Sequence, residues 1–192
     1  MIDEAILYAS AAHQGMFRKG NQQPYIFHPI EVLSLVSTMT LDDEVLCAAV
    51  LHDTVEDTPV TIEDIENKFG KRVAKMVAYE TEDKRGNVNK AETWKERKAE
   101  AIEVIKGIDD EGAKMVCLAD KVSNLRSYHL SYLVKGEEFW NMFNQRDPLE
   151  HYWYHSEIRD ALSSLKDYAV YKEYCFLIDT IFTKYLGEQN EQ

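Results

Sequence analysis

The chain has 192 residues, of which 45% are hydrophobic and 29% are charged, and its formal net charge is −12. This length suits one globular domain with a real core, and the acidic balance excludes a surface that binds DNA or RNA through an excess of lysine and arginine. Only 8 glycines and 4 prolines are present, which leaves few residues for tight turns and favours an all-α fold over a sandwich or barrel.

Apolar residues recur at helical spacing from the start of the chain. Those between Ile2 and His13 trace one face of a first helix, and the segment RKGNQQPYI interrupts the pattern as a loop. Pro29 suits the first turn of a second helix. Thr40 and Asp43 resemble a capping box, which predicts the start of a third helix that continues through LDDEVLCAAVLHDTVED.

The same signals place the later elements. Thr61 with Asp64 predicts a helix start and Gly70 a helix stop. The polar stretch 80–91 is predicted to be a loop near the site, with helices over 93–108 and 111–130 and two further helical stretches after Gly136. The pattern indicates no strand. We expect one domain over residues 1–187 and a frayed tail over 188–192.

The three cysteines indicate the cellular compartment. Cys47, Cys117 and Cys175 are odd in number and widely spaced, which is typical of free thiols in a reducing compartment. The start MIDEAILYAS has no basic region followed by an apolar run, so it does not read as a signal peptide. No apolar stretch approaches the roughly 18 residues that a membrane helix needs. We therefore expect a cytoplasmic protein with no membrane contact.

A cluster of acidic and imidazole groups lies where an apolar helix ends. His52 and Asp53 are adjacent, and imidazole with carboxylate suits a divalent metal ion. Glu56 and Asp57 follow at three and four residues from Asp53, on the same side of a helix. Such groups repel one another, and a cation would compensate them. The alternative is a solvated acidic helix end, but the helix dipole disfavours acids at a C-terminus.

Two further residues are candidate metal ligands. Asp120 lies inside the apolar run MVCLADKV, and a buried carboxylate needs a partner or a metal. The alternative is a core aspartate paired with an arginine such as Arg126. Asn124 follows one helical turn later, on the same face. His28, just before Pro29, is of a type common both as a ligand and at helix starts.

In chain order these residues form the pattern H…HD…D, which resembles the HD superfamily of metal-dependent phosphohydrolases. The run HDxxED is more specific and is similar to the hydrolase domain of the RelA/SpoT family, which removes the 3′-pyrophosphate of the alarmone (p)ppGpp. Because the chain is short, it most resembles the small, Mesh-type alarmone hydrolases. The matching segments, within residues 5–128, are AAHQGMFRKGNQQPYIFHPIEV, AAVLHDTVEDTPVTIEDIENKFGKRVAKMV and LADKVSNLRS.

The resemblance implies an HD-domain helical bundle, a guanosine nucleotide substrate and one manganese ion. A metal polarises phosphorus and activates water, a carboxylate takes the proton, and an arginine can stack on a base. Pyrophosphate would leave and GDP or GTP would remain. The implied metal ligands are His28, His52, Asp53 and Asp120; the groups that activate water are Glu56 and Asp57; the substrate contacts are Arg18 at guanine, Lys19 at phosphate and Asn124 at ribose.

The match also has departures, which leave alternatives open. The loop between Arg18 and His28 differs slightly in length from that of the long bifunctional enzymes. Where those enzymes read close to GVTK, this chain has YETEDK, with Thr81 kept and Glu82 in place of the lysine. One alternative is an HD phosphatase acting on NADPH or a (d)NTP. Another is a non-catalytic metal-binding antitoxin or partner protein, although such a binder would not need the two acids of HDxxED.

The last third of the chain is rich in aromatic residues, in segments around Trp140 and Trp153. These side chains could wall the substrate pocket or form core, and we favour core because aromatics bury the largest area per residue. Arg97 and Lys98 could face the site or lie on a solvated helix face. The sequence makes no prediction of the oligomeric state.

Overall fold

The computed structural model describes residues 1–19, 22–82 and 92–187. In these ranges the regular structure is helical, and the only β pairing is an isolated antiparallel bridge between Phe17 and Pro24. The predicted all-α fold is confirmed. None of the described helices is long and apolar enough to cross a membrane.

The chain divides into two compact units, one of residues 1–82 with 108–120 and the other of residues 83–107 with 121–192. The single domain over 1–187 therefore stays a prediction. The tail 188–192 and most of the predicted loop over 80–91 lie outside the described residues.

The first unit is built from six helices and the start of a seventh. These are α1 (Ile2–Ala12), α2 (Phe27–Val36), α3 (Asp43–Leu51), α4 (Thr54–Asp57), α5 (Ile62–Phe69), α6 (Lys71–Glu80) and the first part of α8 (Glu111–Lys135). The described part of the second unit contains α7 (Trp94–Lys106), the rest of α8, α9 (Pro148–Ala161) and α10 (Ala169–Gly187), with 3₁₀ turns at Gly136–Met142 and Ser163–Leu165.

Helix α3 is the central element of the first unit. Every residue from Val45 to Leu51 is buried, and the helix packs against α1, α2 and α6. A helix that is apolar all round belongs in a core. The start of α8 also approaches it closely, since a Cβ at Gly112 would lie 2.4 Å from Cγ2 of Val45. Glycine is thus required at this crossing.

Most predicted helix ends are confirmed. Thr61 and Asp64 form a capping box, and Gly70 ends α5 with φ of 95°. The predicted cap at Thr40 is wrong, because α3 begins at Asp43 with Asp42 as its N-cap. The carboxylate of Asp42 accepts the backbone N–H of Glu44 at 3.0 Å, while the Thr40 hydroxyl accepts the N–H of Asp42 instead. An extended aspartate one residue before the helix caps it better than a threonine three residues before.

Arg72 of α6 links three elements of the first unit. Its guanidinium donates to Asp42 at 2.6 Å, to Glu44 at 3.1 Å and to Asp110 at 2.9 Å. The hydrogen bonds from Arg72 hold the pKa of Asp42 and of Asp110 below the ordinary value of 3.8. The cluster stabilises the ionised carboxylates, so it supports the fold most when they are charged.

Aromatic side chains form the core of the second unit, as favoured above. Phe139, Trp140 and Tyr154 are buried, and the Trp140 indole donates to the Tyr185 hydroxyl at 2.7 Å. Of the two α7 cations considered in the sequence, Arg97 is buried, which contradicts a solvated position for this residue. Lys98 lies over the Tyr154 ring at 5.1 Å, and Trp153 is only half-buried.

Candidate metal centre

A break between two helices positions the HD pair. The prediction of one continuous helix is wrong here, because α3 ends at Leu51 and α4 begins at Thr54. The side chains close the broken end: the Thr54 hydroxyl donates to the Leu51 carbonyl at 2.7 Å, and His52 Nδ1 lies 2.8 Å from the Ala49 carbonyl. Carbonyls left unpaired at a helix end are thereby satisfied. The turn places His52 and Asp53 between the two helices, with both backbones still in the right-handed helical region.

The structure brings the four predicted metal ligands together. Nε2 of His28 lies 3.0 Å from Oδ1 of Asp120 and 3.3 Å from Oδ2 of Asp53. Nε2 of His52 lies 3.1 Å from Oδ2 of Asp53, 3.6 Å from Oδ1 of Asp120 and 3.2 Å from Nε2 of His28. Three of the four residues are buried and the Asp53 side chain is 15% exposed. The donors come from α2, the α3–α4 turn and α8, all within the first unit.

These separations fit a bound cation. Ligand bonds of about 2.1 Å place neighbouring donor atoms about 3.0 Å apart in an octahedron and about 3.4 Å apart in a tetrahedron. The five measured separations span 3.0 to 3.6 Å. Two imidazoles and two carboxylates also form a donor set that suits a first-row divalent metal. His28, His52 and Asp120 alone already form a cluster able to hold a metal ion.

The hydrogen bonding of His52 prepares it as a ligand. A carbonyl only accepts, so Nδ1 carries the hydrogen toward Ala49, and the neutral ring leaves a lone pair on Nε2. Burial alone lowers the pKa of His52, but Asp53 and Asp120 outweigh it and raise that pKa well above its usual range. The negative field that favours a proton here would favour a metal cation in the same way.

The two acids of the HDxxED run have different surroundings. The carboxylate of Glu56 accepts the backbone N–H of Glu82 at 3.0 Å, so it holds the chain where α6 has ended. The carboxylate of Asp57 instead accepts a hydrogen bond from Tyr25 at 2.7 Å, and the same hydroxyl lies 2.7 Å from Oδ2 of Asp53. Asp57 is therefore linked to the metal-ligand candidate Asp53 through the Tyr25 hydroxyl.

Tyr25 and His13 are site residues that the sequence reasoning missed. Burial and the carboxylates of Asp53 and Asp57 raise the pKa of Tyr25. The His13 ring packs on the Tyr25 ring with centroids 4.8 Å apart, and neither of its nitrogens has a hydrogen-bond partner among the described residues. Burial lowers the pKa of His13. The only sequence signal was the position of Tyr25, three residues before His28 in a polar loop.

The predicted substrate contacts fall in two parts of the chain, Arg18 and Lys19 near its start and Asn124 on α8. The Arg18 guanidinium lies over the Tyr25 ring, 5.7 Å from its centroid, which connects it to the bridge between Asp53 and Asp57. Lys19 is exposed. Asn124 is half-buried and follows Asp120 by four residues on α8, but it belongs to the second unit. The roles of these three residues stay predictions.

Known proteins match most of the chain. The HD domain family profile matches residues 5–137. The bifunctional (p)ppGpp synthase/hydrolase SpoT of Escherichia coli K12 is 38% identical over 125 residues, which are 65% of this chain and 17% of that protein. A guanosine-3′,5′-bis(diphosphate) 3′-pyrophosphohydrolase of Danio rerio, MESH1, is 40% identical over 126 residues, which are 64% of this chain and 66% of that protein.

Solved structures share the fold. A metazoan ortholog of SpoT that hydrolyses ppGpp and plays a role in starvation responses superposes with a TM-score of 0.70 at 28% identity, covering 95% of this chain and 94% of that one. The Listeria monocytogenes protein lmo0812 gives a TM-score of 0.70 at 32% identity, covering 81% of this chain and 99% of that one. The chain spans less than a fifth of the length of SpoT. The profile match and the cluster of two histidines and two aspartates together show that the chain belongs to the HD domain family.

Proposed function

We propose that this protein is a metal-dependent hydrolase that removes the 3′-pyrophosphate of (p)ppGpp and leaves GDP or GTP. The proposal transfers to this chain the activity named for relatives that match about two thirds of it. The observation that carries it is the convergence of His28, His52, Asp53 and Asp120 next to a carboxylate that is not itself one of the four. Release of intact pyrophosphate cleaves the ester bond between the 3′-oxygen and phosphorus, and a metal ion and a nearby base each favour this cleavage.

The metal in this proposal is manganese, held by the four converging donors. A divalent ion there would polarise a phosphoryl oxygen and lower the pKa of water. Asp57 is the general base that takes the proton of the attacking water, since Tyr25 holds its carboxylate within two hydrogen-bond lengths of Asp53. Glu56 contributes by anchoring the backbone at Glu82.

The substrate contacts follow from chemistry and position. The planar guanidinium of Arg18 already lies over an aromatic ring, and it can stack on guanine in the same manner. Lys19 would approach phosphate and Asn124 the ribose. We place this activity in the cytoplasm, where thiols such as Cys47 and Cys117 stay reduced.

The test is a panel of ppGpp, pppGpp, NADPH, GTP and dGTP, assayed for pyrophosphate and orthophosphate release with Mn²⁺ and with a chelator. We expect one pyrophosphate for each ppGpp consumed, with GDP as the other product and no turnover in chelator. Asp120→Ala, which should not retain the metal and is purified identically, is the control for contaminating hydrolases.

Two results would contradict the proposal in different ways. Turnover of NADPH or dGTP with none of ppGpp would retain the metal chemistry but assign a different nucleotide. Equal ppGpp hydrolysis by wild type and Asp57→Asn would exclude this carboxylate from the reaction.

A further inference from the structure

One tyrosine hydroxyl connects two carboxylates of different function in the candidate site. The Tyr25 hydroxyl lies 2.7 Å from Oδ2 of Asp53, which faces both histidines, and 2.7 Å from Oδ2 of Asp57, which is not one of the four predicted ligands. Distances of this length are those of strong O–H···O⁻ contacts. Tyr25 therefore fixes the position of Asp57 relative to the metal-ligand set.

Tyr25 can offer Asp57 a partner in either protonation state of this carboxylate, but both contacts are hydrogen bonds only when Asp57 is protonated. A phenol has one hydrogen to donate and lone pairs to accept. When Asp57 is ionised, the Tyr25 hydroxyl can donate to either carboxylate. Once Asp57 has taken a proton from water, its O–H can donate to the phenol oxygen while the phenol donates to Asp53. The same side chain thus offers Asp57 a partner before and after proton transfer.

The surroundings of Tyr25 hold its ring in place. Its backbone N–H donates to the Met16 carbonyl at 2.9 Å, and the N–H of Arg18 donates to the Gln23 carbonyl at 2.9 Å, so the two sides of this segment are paired. The buried His13 ring lies against the Tyr25 ring, and the Arg18 guanidinium lies over it. A ring held by backbone pairing and by two side chains can orient a carboxylate with little freedom.

We propose that Tyr25 is a positioning residue that acts through Asp57: its hydroxyl holds this carboxylate at the edge of the metal site in the orientation needed to accept a proton from water. This inference rests on the hydrolase function proposed above. It concerns the phenol oxygen alone, because the ring contacts with His13 and Arg18 survive in Tyr25→Phe.

The experiment is a double-mutant cycle of Tyr25→Phe and Asp57→Asn, with Tyr8→Phe as the matched control. Tyr8 is a half-buried tyrosine of the same unit whose ring packs on Phe69. At saturating Mn²⁺ we expect Tyr25→Phe to lower kcat for ppGpp by about 10- to 100-fold, the range for lost outer-shell partners. KM and the unfolding temperature should stay near those of wild type. In the Asp57→Asn background the same change should lower kcat by less than about threefold, because Tyr25 acts through the Asp57 carboxylate, which this variant lacks.

A second readout does not require turnover. Mn²⁺ affinity is measured for the four proteins of the cycle by the loss of the free-ion electron paramagnetic resonance signal. We expect Tyr25→Phe to weaken Mn²⁺ binding by up to about tenfold in wild type and by clearly less in Asp57→Asn. If the two substitutions weaken Mn²⁺ binding non-additively, the bridge is supported even when ppGpp is not hydrolysed. A lack of ppGpp hydrolysis would contradict the proposed function alone. Additive effects in both readouts, or wild-type kcat in Tyr25→Phe, would overturn the inference.

Discussion

The two neighbouring acids of the HDxxED run should respond differently to loss of charge. Glu56 accepts a backbone N–H from Glu82, whereas Asp57 accepts the phenol of Tyr25 next to the metal-ligand set. Glu56→Gln keeps an oxygen that can accept the same backbone hydrogen bond. Asp57→Asn also keeps its shape and an acceptor oxygen, but its neutral amide cannot take a proton from water. Comparing Glu56→Gln with Asp57→Asn therefore distinguishes a residue that anchors the backbone from one that accepts a proton.

The magnitudes follow from these contacts. Hydrogen bonds to charged groups contribute about 1.5–3 kcal/mol and neutral ones about 0.5–1.5 kcal/mol. Glu56→Gln should therefore lose about 1 kcal/mol, which is roughly a fivefold fall in kcat/KM. Asp57→Asn should lose the general-base contribution, about 10²- to 10⁴-fold in kcat. Glu56→Ala removes the acceptor altogether and should fall between the two.

The assay is steady-state pyrophosphate release from ppGpp at saturating Mn²⁺, with the metal content of each variant measured alongside. Wild-type metal content in both isosteric variants makes the comparison valid. The assignment of roles is refuted if Glu56→Gln loses as much activity as Asp57→Asn. It is equally refuted if Asp57→Asn keeps more than about a tenth of wild-type kcat, since a general base typically contributes about 10²- to 10⁴-fold.

Three further predictions concern the metal and the fold. Asp120→Ala should abolish retention of the metal through gel filtration, and full occupancy by elemental analysis would refute its assignment as a ligand. Gly112→Ala should lower the free energy of unfolding by about 1–2 kcal/mol, because overpacking exceeds the gain in helix propensity. Gly107→Ala, whose Cβ would meet only contacts of 3.5 Å, is the control and should be near neutral in the same denaturant titration. Arg72→Gln should destabilise the protein at pH 7 but hardly at about pH 2. Asp42 and Asp110 have pKa values below 3.8 in the folded protein, so their ionised carboxylates stabilise the fold fully above about pH 3.8. This contribution is lost as the pH falls through the lowered pKa values. A difference between the unfolding temperatures of wild type and Arg72→Gln that does not depend on pH would contradict this.

Local chemistry made much of the fold predictable. The Thr61–Asp64 capping box and Gly70 lie within a few residues of the helix ends that they define, so the sequence pattern predicts these ends. The wrong start at Thr40 shows the limit of this reading. Thr40 and Asp42, two residues apart, are both capping candidates there, and the backbone geometry of Asp42 decides between them.

The sequence pattern predicted the four converging donors of the candidate site but not how the structure arranges them. The apolar pattern continues through the HD pair, so the sequence does not show that α3 ends at Leu51, just before His52 and Asp53. That break depends on Thr54 and His52 satisfying carbonyls of α3, and side chains that bond to their own backbone give a weak sequence signal. Tyr25 was missed because its partners lie 28 and 32 residues away, a separation that no local pattern encodes.

The origin of the donors also explains how a metal would relate to folding. All four come from the first unit, and α3, which ends at Leu51 just before His52, is buried along its apolar length. Packing of this apolar helix fixes His52 and Asp53, while α2 and α8 bring in His28 and Asp120. Bringing two carboxylates together is unfavourable because they repel each other. Hydrophobic burial, which does not depend on the ion, offsets this repulsion. Metal binding then relieves this repulsion and adds to stability by mass action, in contrast to small zinc domains, where the ion must organise the chain.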